Sequence, residues 1–139
     1  MAKLPYTFDN RPVFLNLARI HFPVGAMASI LHRLSGVLLI LAVPGGLGLA
    51  EYSSRSAIHF RWVAGILDTA TAAVIGAAVL AALAHHLLAG VRLMLMDVGM
   101  GVGLTTARRS AWGSLGTAGV LGVLALLALW PETGAAGGY

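Results

Sequence analysis

The stretch Thr69–Val91, TATAAVIGAAVLAALAHHLLAGV, decides what kind of protein this is. Its 23 residues include no Asp, Glu, Lys or Arg, and about 20 apolar residues in a helix cross the ~30 Å hydrocarbon core of a bilayer. Its ionisable members are the adjacent His85 and His86. Such groups are costly at membrane depth and tend to face a bundle interior, a cavity or a cofactor. A neutral imidazole in an apolar bundle is well suited to ligate haem iron. For His86 a proton relay and plain packing across a helix interface are the competing readings.

On a helix Ala82, His86 and Gly90 fall on one face. Small side chains then flank the imidazole and leave room for a flat macrocycle. His85 points about 100° away, towards a neighbouring helix or the interface rather than a cofactor. The two histidines therefore cannot ligate opposite faces of one iron, and a second histidine ligand has to come from another chain.

Composition agrees with a membrane solvent. Of 139 residues, 58% are hydrophobic and 10% charged, against about 25% charged in a soluble domain. The absence of cysteine excludes disulfides, a cysteine-held iron–sulfur cluster and covalent haem attachment. The N-terminal arm, Met1 to Arg19, carries Asp9 and two prolines without a continuous apolar run. It reads as neither a signal peptide nor a transit peptide, and a bacterial inner membrane is the simplest home.

Three apolar segments predict three transmembrane helices, at about 24–50, 62–96 and 111–130, in one domain spanning 1–139. Three strands cannot close a barrel, so the fold class is all-α. Trp62, Trp112 and Trp130 suit interface belts. Pro44-Gly45-Gly46 predicts a kink or loosening in the first helix, and Gly134–Gly138 a disordered tail. Ala72 and Gly76, and Ala77 and Ala81, are small pairs that permit close helix contact. Three helices make a thin bundle, so partner helices are expected.

Lys3, Arg11, Arg19, Arg33, Arg92, Arg108 and Arg109 fall on one side of this layout, and Arg55 and Arg61 on the other. Seven against two predicts a cytoplasmic N-terminus. The net charge of +4 is thus an orientation signal; with no basic soluble face, nucleic acid is not a partner.

At the inner end of the first span, Ser29, His32 and Arg33 lie three and four residues apart, on one helix face. A hydroxyl and a guanidinium at the hydrocarbon edge suit a quinone, because reduction puts negative charge on its oxygens. His32 and Arg33 also suit haem propionates. The competing readings are Ser29 as an N-cap and Arg33 as a snorkelling charge. Arg92 and Asp97 read as interfacial anchors.

Two stretches, RPVFLNLARIHFPVGAMASILHRLSG (Arg11–Gly36) and HHLLAGVRLMLMDVG (His85–Gly99), resemble the succinate dehydrogenase cytochrome b556 subunit family, the haem-binding membrane anchors of respiratory complex II. The first is similar to that family's R-P…S-x-x-H-R-x-S/T-G signature, the second to its H-x-x-x-G-x-R-x-x-x-x-D signature. The resemblance implies that His86 is one axial ligand of haem b, the other coming from a second membrane-anchor subunit. It implies ubiquinone binding by Ser29 and Arg33, and a place for His32 near the haem propionates. It further implies an iron–sulfur subunit and a flavoprotein subunit on the inner face, which carry the dicarboxylate site and deliver electrons from succinate. Where the family often has R-H, this chain has Arg92-Leu93, so no second histidine acts there. His85 replaces a residue that is commonly aromatic and receives no role. The alternatives are the anchor of a menaquinone-linked fumarate reductase and a haem-free helical scaffold or transporter component.

Overall fold

The computed structural model describes residues 22–131. The N-terminal arm with Lys3, Arg11 and Arg19, and the glycine-rich tail, lie outside the described residues. Four helices follow in order: α1 Val24–Ser54, α2 Ala57–Leu67, α3 Ala70–Asp97 and α4 Leu104–Leu129. No strand occurs among the described residues. The helices α1, α3 and α4 are long and apolar enough to cross a membrane, and α2 is not.

The expected helix 62–96 is two elements rather than one. The break falls at Asp68–Thr69, where the Thr69 hydroxyl accepts from the Ala72 N–H at 3.2 Å and donates to the Ile66 carbonyl at 2.8 Å. One side chain thus closes α2 and caps α3. Hydropathy alone runs straight through this point because both flanks are apolar. The short α2 has its own cap, the Ser56 hydroxyl accepting from the His59 N–H. It packs on the end of α1 through Tyr52, whose ring meets His59 at 4.5 Å and Trp62 at 5.5 Å, both edge-on.

The last helix begins at Leu104 rather than 111, so Arg108 and Arg109 sit on its second turn. Arg92 holds that turn against α3: its Nε donates to Ser110 Oγ at 2.9 Å and its Nη2 to the Ala107 carbonyl at 3.1 Å. Between the helices the chain reverses through Gly99 and Gly101, both at positive φ (82° and 71°), a conformation that costs other residues a Cβ clash. The first helix also runs past its expected end, to Ser54. It stays helical through Pro44, as membrane helices tolerate proline.

Packing pairs run antiparallel between α1 and α3, and between α3 and α4, giving an up–down–up bundle. The core is made of small residues: among the described residues six of eight buried apolar positions are alanine, and Ala28 and Ala111 are fully enclosed. Large apolar side chains such as Ile40, Leu41 and Leu104 point outwards. This is the pattern of helices that approach through small residues and leave their leucines to lipid or to other helices.

The tightest contact joins α3 to α4 at Ala81 and Gly122. A Cβ added at Gly122 would lie 2.9 Å from that of Ala81, whereas one at Gly113 meets nothing within 4 Å. Gly122→Ala therefore lowers the thermal stability of the isolated chain in detergent by about 1–3 kcal/mol. Gly113→Ala leaves it unchanged or slightly higher, by circular dichroism melting.

Candidate functional site

Two glycines, one on each helix, admit the two histidines that face each other between α1 and α3. A Cβ on Gly36 of α1 would stand 3.0 Å from His86 Cε1, and one on Gly90 of α3 would stand 3.4 Å from His32 Nε2. Each imidazole thus lies over the other helix's missing side chain. The rings stack with centroids 4.2 Å apart and planes 9° from parallel.

This corrects the expectation that Gly90 keeps space open for a macrocycle. His32 takes that space, and Gly90 serves the approach of the two helices. Ala82, one turn before His86 on the continuous α3, also lines a cavity with His85.

The hydrogen bonds around His86 determine its tautomer. Nδ1 lies 3.0 Å from the His32 carbonyl oxygen and 3.2 Å from Ser35 Oγ. A carbonyl only accepts, so Nδ1 carries the proton and donates. The Ser35 hydroxyl donates its own proton to the same carbonyl at 2.8 Å, which leaves its oxygen able to accept from Nδ1–H. The ring is therefore held in one orientation with Nδ1 protonated, and in its neutral form its lone pair is on Nε2. That is the arrangement of a metal-ligating histidine whose second nitrogen is anchored by a backbone carbonyl.

His86 also borders a groove of about 540 Å³ whose other walls, Gly36, Leu39, Ile40, Val43 and Pro44, all come from α1. The groove is open on the outer side.

His85 turns the opposite way. It is buried, and its Nε2–H donates to the Ala28 carbonyl of α1 at 3.2 Å. Neighbours in sequence, the two histidines thus hold opposite tautomers, each set by a different carbonyl of the same helix.

Ser29 and Arg33 lie on α1 beside His32, the first half-buried and the second exposed. Since α1 is capped at Pro23, Ser29 is inside the helix and not an N-cap. Neither side chain hydrogen-bonds to another described residue. Arg92 is committed to α4, as described above, and Asp97 ends α3 exposed. The sequence reading assigned no role to Ser35, although its position three residues after His32 puts the two on one helical face.

Residues 8–127 match the family described as the succinate dehydrogenase/fumarate reductase transmembrane subunit. The succinate dehydrogenase cytochrome b556 subunit of Coxiella burnetii is 35% identical over 103 residues, covering 73% of this chain and 82% of that protein. The matched span takes in all three long helices, the paired histidines and the Ser29–Arg33 segment. With its three apolar helices, this chain belongs to the succinate dehydrogenase/fumarate reductase transmembrane subunit family.

Proposed function

We propose that this chain is a haem b-binding membrane anchor of a succinate:ubiquinone oxidoreductase and forms part of its quinone-reduction site. The observation that carries the reading is the bond from His86 Nδ1–H to the His32 carbonyl at 3.0 Å, which leaves the Nε2 lone pair free for iron. The Coxiella burnetii relative is a cytochrome b556 subunit, which supports a b-type haem. The donor set fits the group: an imidazole, oriented by a carbonyl and a hydroxyl, in an apolar groove that is open on one side.

In this reading His86 would hold the haem iron together with a ligand from a second membrane-anchor subunit, since His85 faces away. Haem b would supply a one-electron carrier. The chain's own residues hold the ligand ring, exclude water with apolar walls and donate to the quinone. The Ser29 hydroxyl and the Arg33 guanidinium stabilise the charge that builds on quinone oxygens during reduction, where low polarity strengthens such bonds. Arg33 follows His32 directly, so quinone and haem contacts occupy consecutive residues of α1. His32 and Arg33 also serve the haem propionates.

Arg92, Arg108 and Arg109 gather at the end of the bundle where α1 begins, which supports a cytoplasmic N-terminus in a bacterial inner membrane. The flavoprotein and iron–sulfur subunits dock on that side and carry out succinate oxidation, for which this chain holds no dicarboxylate site. A menaquinone-linked fumarate reductase would run the same pocket in reverse, and the relative's name favours the succinate direction.

His86→Ala in the purified complex removes or distorts the b-type α-band of the reduced-minus-oxidised spectrum; an unchanged band refutes the ligand assignment. Ser35→Ala keeps the band but raises the haem midpoint potential, because Nδ1–H loses an acceptor and Nε2 becomes a weaker donor to iron. Arg33→Leu lowers succinate–quinone turnover by about ten- to a hundredfold, the range of a lost charge-assisted hydrogen bond. Succinate oxidation with a soluble dye survives that change, and equal loss of both activities points to failed assembly instead.

A further inference from the structure

His85 has no part in the proposed function, yet its surroundings are those of a binding group. Its imidazole is only 6% exposed. With Nε2–H donating to the Ala28 carbonyl, the lone pair sits on Nδ1. That nitrogen is buried and has no hydrogen-bond partner, the one such side-chain atom among the described residues. The ring also forms part of the wall of a cavity of about 320 Å³ between α1, α3 and α4. Leu31, Leu34, Leu38 and Leu115 supply much of the remaining wall.

We propose that this cavity binds a small lipophile carrying a hydroxyl group, a phenol or an alcohol, whose O–H donates to His85 Nδ1. An acceptor without a donor selects a donor, and leucine and alanine walls select an apolar body. Ser35 also lines the cavity, but its hydroxyl is committed to the His32 carbonyl and to His86. Nδ1 is therefore the free polar anchor. The volume lies at the small end of ligand pockets, which limits the occupant to about one ring or a short chain. The cavity opens at the surface of the bundle, so its ligand enters from the membrane phase. Nδ1 itself is buried, so the O–H reaches it only once side chains of the cavity wall shift, an adjustment that binding commonly brings. Ser29 and Arg33 do not line this cavity, so it is separate from the quinone segment.

The test uses the whole complex in phosphatidylcholine nanodiscs, titrated with 4-fluorophenol and with 4-fluoroanisole, which has the same ring but no donor. Fluorine NMR reads binding above partition into empty nanodiscs. Saturable phenol binding is expected, roughly three- to tenfold tighter than that of the ether, as one net hydrogen bond provides. His85→Phe abolishes the preference. Gly119→Leu blocks both probes: Gly119 lines the cavity, and a Cβ there meets nothing within 4 Å, so this variant fills the space without a clash even if His85→Phe fails to assemble. Equal binding of phenol and ether overturns the proposal. So does phenol binding that persists in Gly119→Leu, which would locate the probe elsewhere, and so does a cavity filled by an acyl chain or by water alone.

Discussion

The bond from His86 to the carbonyl of His32 spans two helices, and Gly36 leaves room for the ring between them. A Cβ at Gly36 would stand 3.0 Å from His86 Cε1, so the ring must shift and the bond lengthens. The carbonyl then no longer holds Nδ1, and the lone pair on Nε2 loses its fixed direction. Helix packing and ligand chemistry are thus one constraint in this protein. Ser35 reinforces it from the same helix, donating to that carbonyl while accepting from the imidazole.

The same close approach runs through the rest of the bundle. Lipid tails are as apolar as leucine, so burying leucine between helices gains little in a membrane. Contact between backbones, through Ala28, Ala77, Ala81, Ala111 and Gly122, gains more through dispersion over many atoms. The result is a core of small residues and a surface of large ones. Such a surface suits lipid or further helices, and the groove at His86 is open on its outer side.

His85 and His86 illustrate how far one residue of helical register carries. A rotation of about 100° sends one ring to the α1–α4 side and the other to the groove along Gly36–Pro44. Each finds a carbonyl of α1, but presents the opposite nitrogen to it. One histidine borders an open groove, and the other keeps an unpartnered, buried nitrogen beside a cavity between α1, α3 and α4.

The membrane class and the three long helices were legible in the sequence, because charge-free length is a local property. The divergence of His85 from His86 followed from periodicity alone. The split between α2 and α3 was hidden, since hydropathy does not register a threonine cap between two apolar runs. The early start of α4 was hidden because two arginines resemble a loop until Arg92 is seen bonded to that turn. The role of Gly90 reversed, and the tautomers of both histidines emerged, only once α1 lay against α3. The partners there are backbone carbonyls, which every residue possesses and only tertiary packing can select.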